Sequence, residues 1–288
     1  MKTAAATLRD IIARPTATVV PLVLDPLSAK LAERAGFEAI YLGGGTLGYV
    51  KTGTEANLTL TQMAQTGLEI RTASPLPLIL DGQCGWGDAM HMRNTILTTE
   101  AAGFAAIEIE DQLMPKRAHH HLGIEHLIPT EHMVEKIKVA VATRRDPDFV
   151  IIGRTNACRS EGVEEALRRA EAFRKAGADV LLLLQKTPEE ARFIGERLEG
   201  PLLYMMTGGV PSMGMTLEEF GKLGFKIVLD ALTPFYARQK ALQLCYEALA
   251  RGEIDPLVGR DFPAITDDVH DLIDLDVLVD IEKRTVEK

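Results

Sequence analysis

The sequence predicts a (β/α)8 barrel of the TIM type on three observations. A helix-to-strand joint recurs along the chain, short apolar runs follow it, and strand–helix alternation continues for eight units without a GxGxxG fingerprint. The joint reads Ala35-Gly36-Phe37, Ala102-Gly103-Phe104, Ala176-Gly177-Ala178 and Leu223-Gly224-Phe225. A glycine just past a helix takes the left-handed conformation without a Cβ clash, so it ends the helix and turns the chain. The runs that follow, at 39–42, 106–110, 180–184 and 226–230, are nearly all apolar and end in glycine or a polar residue. Strands buried on both faces, as parallel strands are, read that way.

The remaining strands are expected at 18–24, 77–81, 149–154 and 201–206. Helical patterns lie between them, among them 61–72, 131–143, 163–176 and 188–198. Pro188 suits a first helical turn, and Glu189 and Glu190 favour the dipole there. Alternation of this length gives an open doubly wound sheet or a closed barrel, and eight repeats without the dinucleotide fingerprint favour the barrel. No low-complexity linker divides residues 1–288, which are read as one domain. Its tail, about 252–288, holds Pro256, Pro263 and an acidic amphipathic stretch from 267. That tail is expected to be extra helix, packed on the barrel or on another subunit.

Hydrophobic residues make up 46% of the 288, enough for a large core, and the formal charge is −9. That charge argues against nucleic acid or anionic lipid as a bulk partner, while leaving room for a local positive pocket that takes an acidic small molecule. Cys84, Cys158 and Cys245 share no CxxC spacing and give no disulfide framework, which fits a reducing compartment. The opening residues carry no continuous apolar run of signal-peptide type, and no stretch reaches the length of a membrane span. The expected location is the cytoplasm.

In such a barrel the chemistry belongs where strands end. Strand 2 runs into Tyr41-Leu42-Gly43-Gly44-Gly45, where consecutive glycines let backbone N–H groups approach an anion, or simply make a tight turn. Strand 3 ends at Asp81 and strand 4 at Glu108, Glu110 and Asp111. Carboxylates there cost free energy unless hydrated, paired or bound to a metal. Two or three of them suit a hard divalent cation such as Mg2+; the alternatives are ordinary surface charge or salt bridges, and Glu108 in particular could pair with a basic residue. Strand 5 ends in Arg154-Thr155-Asn156, and the arginine fork suits a substrate carboxylate or an ion pair with a neighbouring strand. The long loop after strand 4 carries Lys116, Arg117, His119, His120 and His121. Three adjacent histidines cannot all face one pocket, and their spacing gives no zinc site. Thr207-Gly208-Gly209 after strand 7 is a second anion cradle or a plain turn.

In order and spacing, four segments resemble the isocitrate lyase and phosphoenolpyruvate mutase superfamily. They are YLGGG after strand 2, D-x-x-x-G-x-G after strand 3, E-D-x-x-x-P-K-R-x-x-H after strand 4 and G-R-T-N-A after strand 5. The likeness spans about residues 8–250 and is nearest the 2-methylisocitrate lyase and dimethylmalate lyase branch. It implies a homotetramer with C-terminal helices exchanged between subunits, and an enolate-forming site that uses Mg2+, with Mn2+ as the alternative ion. On that resemblance Tyr41, Gly43, Gly44 and Gly45 cradle the substrate with Arg154 and Asn156. Asp81 is the principal metal ligand and Glu110 acts through water. Lys116 and His120 come from a gating loop that closes over the substrate.

The departures from the family pattern narrow the chemistry. Gln83 stands where a second carboxylate of the metal shell is expected, and Thr52 replaces another. Ala118 stands where the lyase branch has its acid–base cysteine, with His119 in place of the next glycine. The expected function is a Mg2+-dependent carbon–carbon lyase on a small 2-hydroxy or 2-oxo dicarboxylate, releasing pyruvate or a similar oxo acid, with His120 or His119 as general acid. The alternatives are an oxaloacetate decarboxylase or acylpyruvate-type hydrolase, and a ligand-binding barrel that has lost its chemistry.

Overall fold

A computed structural model describes residues 2–286. Among them, eight parallel strands form one sheet: β1 (Thr18–Pro21), β2 (Ile40–Leu42), β3 (Leu78–Asp81), β4 (Ala106–Glu110), β5 (Val150–Arg154), β6 (Val180–Leu182), β7 (Leu202–Met206) and β8 (Phe225–Asp230). Each strand from β2 to β8 pairs with its neighbour in sequence, and β8 returns to β1 with Thr18 opposite Ile227. The gap between β1 and β2 is closed by a bridge from Leu22 to Tyr41, where Val23 N–H donates to the Tyr41 carbonyl at 2.8 Å. The result is the nearly closed barrel that the repeated joint predicts.

The four joint glycines all turn the chain through positive φ, at +89° (Gly36), +82° (Gly103), +105° (Gly177) and +88° (Gly224). The helices between strands follow from local signals. Leu60–Ala73 opens on a capping box in which Thr59 and Gln62 satisfy each other's backbone N–H groups. Thr130–Thr143 and Val163–Lys175 lie where the apolar period places them, and Pro188–Gly195 starts on Thr187 with Pro188 in its first turn. β1 and β6 fall furthest short of the expected ranges, β1 stopping at Pro21 and β6 at Leu182, ahead of Leu184, which turns through φ +44°. Phe149, Phe173, Phe220 and Phe225 are fully buried in the core. Each contributes roughly 1.5–3 kcal/mol to burial of the apolar surface.

One close approach sets up the active end. Gly82 N–H donates to the Glu108 carbonyl at 2.8 Å, and a Cβ on Gly82 would lie 2.4 Å from that oxygen. Only glycine lets the loop after β3 fold across the end of β4.

The chain divides into two compact units, the first ending at Thr233 and containing the barrel, the second starting at Pro234. In the second, most of the helix Thr233–Ala250 groups with helices Phe262–Leu272 and Leu275–Thr285, which pack on each other. Asp255 closes the turn before them, its side chain accepting from Leu257 N and Val258 N at 2.9 and 2.6 Å. The predicted extension from 252 corresponds to the later part of this unit.

Candidate active site

The glycine run after β2 is the start of a helix rather than an open loop. Gly43 is extended and Gly44–Lys51 is helical. Gly44 N–H donates to Asp81 Oδ2 at 2.8 Å, and a Cβ on Gly44 would stand 3.0 Å from that same oxygen. A Cβ on Gly45 would meet Glu55 Oε2 at 2.6 Å. The anions that this run admits are therefore, in the first place, the protein's own. Asp81 is further fixed by Gln83 N–H, which donates to Oδ1 at 3.0 Å. Burial raises the Asp81 pKa, with Lys116 and Arg154 opposing it.

Two carboxylates from β4 share one arginine from β5. Arg154 reaches Glu108 Oε1 at 2.6 Å and Glu110 Oε2 at 3.2 Å, while its Nε donates to Asn156 Oδ1 at 2.8 Å. The neighbouring-strand ion pair is thus formed, and it includes Glu108. Asn156 Nδ2 donates to Glu110 Oε2 at 3.0 Å, and Lys116 Nζ lies 2.6 Å from Glu110 Oε1. Burial alone would raise the Glu110 pKa, but Lys116 and Arg154 outweigh it and hold the carboxyl below its usual range. Glu108 has less help: burial against the pull of Arg154 pushes it up to about 7, and its Oε2 is buried without a partner. Tyr41 is buried beside this group. Burial and the charges of Asp81 and Glu108 drive its pKa up, so its hydroxyl stays protonated at neutral pH.

The loop after β4 brings Lys116 and His120 onto Glu55. Lys116 pairs with Glu55 as well as Glu110, and His120 Nε2 lies 2.8 Å from Glu55 Oε1. The other imidazole nitrogen, Nδ1, is 2.5 Å from the Arg117 carbonyl. Both partners are acceptors, an arrangement that favours the doubly protonated ring. Burial lowers its pKa, but Glu55 and the Arg117 carbonyl raise it above the ordinary histidine value. Burial works against the Glu55 charge too, yet His120 and Lys116 hold that carboxyl well below its usual range. The neighbouring histidines face elsewhere. His119 pairs with His126 at 3.3 Å, and His121 bonds Tyr49 Oη at 3.0 Å and Thr54 Oγ1 at 2.9 Å.

Glu55 is the residue that sequence reasoning missed. Thr52 marks no gap in the site: its hydroxyl donates to the Thr54 carbonyl at 2.8 Å and serves the helix end. The short 3-10 turn Glu55–Asn57 folds back on the helix Gly44–Lys51, and a Cβ on Gly48 would lie 2.3 Å from Glu55 N. The signal was the pair Gly45 and Gly48, three apart on one helix face, which marks the close approach of something. Asp111 has a different task. Thr155 Oγ1, Asn156 N and Arg169 Nη1 donate to it at 2.6, 3.1 and 3.2 Å, so it anchors the segment after β5. Gln83 is buried with its Nε2 unpartnered, beside Gly44. Gly208 N–H is taken by Thr233 Oγ1 at 2.7 Å, which makes the strand-7 glycines a turn.

Asp81, Glu110 and Glu55 are the oxygen donors that could hold a divalent cation. Among the described residues no three His, Cys, Asp or Glu side chains close into a metal cluster. Mg2+ does not require one, since it binds through one or two carboxylates and keeps its waters. The all-oxygen donor set and the bare Glu108 Oε2 fit such an ion.

A family model described as phosphoenolpyruvate phosphomutase matches residues 8–250. The chain is 36% identical to a 2-methylisocitrate lyase of Aeropyrum pernix, over 97% of this chain and 89% of that one. It is 33% identical to a 2,3-dimethylmalate lyase of Eubacterium barkeri, over 96% of each. An oxaloacetate decarboxylase of Paraburkholderia xenovorans is 35% identical over 68% of this chain and 66% of its own. Among solved structures, a phosphoenolpyruvate phosphomutase from Streptomyces platensis subsp. rosaceus superposes with a TM-score of 0.88 at 30% identity, covering 98% of this chain and 99% of that one. A phosphonopyruvate hydrolase complexed with oxalate and Mg2+ superposes with a TM-score of 0.85 at 28% identity, covering 99% of each. The chain belongs to the phosphoenolpyruvate phosphomutase family, in the superfamily shared with isocitrate lyase, and is an enzyme of its carbon–carbon lyase kind.

Proposed function

We propose that the protein is a Mg2+-dependent carbon–carbon lyase acting on a small 2-hydroxy or 2-oxo dicarboxylate, with pyruvate or a similar oxo acid as product. The observation that carries this reading is the placement of the His120 ring between Glu55 and the Arg117 carbonyl, with Lys116 on the same Glu55 carboxylate. Ala118 has no proton to give, and His120, two residues on, does.

Cleavage of the bond leaves its electron pair on one fragment as an enolate, so the site must supply positive charge and then a proton. A divalent cation at Asp81 and Glu110 would supply charge stabilisation at the developing enolate. Arg154, held by Asn156, Glu108 and Glu110, supplies the positive charge that a substrate carboxylate would meet at the strand ends. Tyr41 offers a protonated hydroxyl. Lys116 and His120 belong to the loop that covers the site; a 2-hydroxy substrate gives up its hydroxyl proton to water as its C–O bond becomes C=O, and His120 protonates the fragment that takes the electron pair. The 2-methylisocitrate and 2,3-dimethylmalate lyases among the relatives support the substrate class. The Mg2+–oxalate complex of the phosphonopyruvate hydrolase supports the ion.

The test is a lactate dehydrogenase-coupled assay across malate and citrate derivatives with Mg2+. Pyruvate from at least one is expected; none from any, while Mg2+ still binds, overturns the lyase reading. Ala118 favours one second reading, oxaloacetate decarboxylation, which needs no proton from that position and is the activity named for one relative. It predicts oxaloacetate turnover that survives His120→Ala. We further propose a homotetramer working in the cytoplasm; among the described residues no helix is long and apolar enough to cross a membrane.

A further inference from the structure

The loop that carries Lys116 and His120 stands on a narrow neck. Gln112 and Leu127 form an antiparallel bridge, Leu113 N–H donates to the His126 carbonyl at 2.7 Å, and Ile128 N–H donates to the Asp111 carbonyl at 2.8 Å. Inside that neck sits Glu125, whose side chain is 0% exposed. Its Oε2 accepts from Gln112 Nε2, on the opposite limb of the neck, and from Asn156 Nδ2 at 3.4 Å. Its Oε1 accepts from Arg159 at 3.3 Å, and Arg159 is 41% exposed.

We propose that Glu125 is a positioning residue that ties the neck of the loop to the Asn156 amide and, through it, aligns Glu110 and Arg154. The inference deepens the active-site reading above and rests on it for the meaning of oxalate binding. The Asn156 amide has three assigned contacts: Nδ2 to Glu110 at 3.0 Å, Nδ2 to Glu125 at 3.4 Å, and Oδ1 from Arg154 Nε at 2.8 Å. Turned over, the amide would point its oxygen at two carboxylates and its N–H groups at a guanidinium, losing every bond. With a carboxylate on either side, Glu110 and Glu125, only one orientation survives. Glu125 is also the one of the two that belongs to the loop. With the neck in place the amide is held from both sides and Arg154 Nε has a fixed acceptor.

A carboxylate is needed here because it only accepts. Gln112, Asn156 and Arg159 all donate to Glu125, and an amide in its place would turn an N–H toward at least one of them. Glu125→Gln is therefore close in shape and opposite in hydrogen-bonding sense. Glu125→Asp keeps the charge for Arg159 but withdraws it from Asn156 by one methylene, and guards against a glutamine variant that does not fold.

The experiment measures Mg2+-dependent oxalate binding by calorimetry on the full chain and both variants, with the NMR signals of the Asn156 side-chain amide as an independent readout. In the variants, oxalate affinity should fall at least tenfold at a temperature where they remain folded, and the two Asn156 Nδ2 protons should lose their separate, slowly exchanging signals. A role confined to stability would lower the melting temperature and leave the affinity of the folded protein unchanged. Unchanged amide signals in a folded variant overturn the inference, as does wild-type oxalate affinity. Were the wild-type chain to bind no oxalate with Mg2+ while the Asn156 signals still changed in the variants, the alignment by Glu125 would stand and the active-site reading would fall.

Discussion

Glu55 gathers on one carboxylate the two cations that the loop after β4 delivers. Lys116 and His120 both contact its Oε1, so one substitution should loosen both. Glu55→Gln removes the charge that raises the His120 pKa against burial. A histidine titration by NMR should show His120 holding its second proton above the ordinary value of 6.5 in the wild-type chain and losing it at lower pH in the variant. An unmoved His120 would show that the Arg117 carbonyl alone keeps the ring charged. Activity in the lyase assay should drop about tenfold or more, in line with the loss of a positioned proton donor. Glu108 gives a second prediction, of stability against pH. Its native carboxyl is pushed up to about 7 from 4.5. Between those values the native state holds the proton that the unfolded state has released, so stability is full below 4.5 and declines as the pH rises towards 7. At ~1.4 kcal/mol per pH unit the decline from this group is on the order of 3 kcal/mol. Urea unfolding of Glu108→Gln should lack that slope; identical slopes in variant and wild type would mean that Glu108 is charged throughout. Of these residues, Asp81, Glu108 and Glu110 are legible in the sequence because polar groups at the ends of apolar runs stand out. Glu55 is not, because it lies in a polar stretch and only the fold-back of its turn puts it against the helix Gly44–Lys51.

At the scale of elements, that helix explains why the sequence spends glycine where alanine would be more stable. Replacing a helical glycine by alanine ordinarily gains about 0.5–1 kcal/mol. Gly48 reverses the sign: its Cβ would lie 2.3 Å from Glu55 N and 2.6 Å from Glu55 Cα, and backbone cannot step aside as a side-chain tip can. Gly48→Ala should cost roughly 1–3 kcal/mol in urea denaturation, the usual penalty for overpacking. Gly45→Ala meets only the carboxylate tip of Glu55, at 2.6 Å. It should cost less stability than Gly48→Ala and lower activity, by pushing Glu55 off Lys116 and His120. Equal stability losses in the two variants would break this distinction. The same contrast explains what the sequence reveals of the fold. Gly36, Gly103, Gly177 and Gly224 announce their joints because the requirement for positive φ is local. Gly45 and Gly48 announce only that something comes close, and what it is depends on a turn outside their helix.

The whole molecule joins a barrel that buries its apolar strands to a second unit that leaves much of its apolar surface in water. On the helix Thr233–Ala250, Leu242, Tyr246 and Leu249 recur at helical spacing and are all exposed, with Tyr246 at 64%. Phe262 and Ile265 continue the pattern on the next helix, and Val277, Leu278 and Ile281 on the last. Among the described residues of this unit only Ala248 and Leu272 are buried apolar side chains, and exposed apolar surface on this scale marks an interface. The proposed tetramer supplies a partner of the right chemistry, a second copy of the same chain, whose matching stripes cover one another under closed symmetry. Light scattering coupled to size exclusion should therefore find the full chain as a tetramer. A chain carrying Tyr246→Glu and Leu249→Glu should dissociate toward smaller species, because each buried contact would then enclose an unpaired carboxylate. A monomeric wild-type chain, stable at micromolar concentration, would mean that these stripes serve something other than self-assembly.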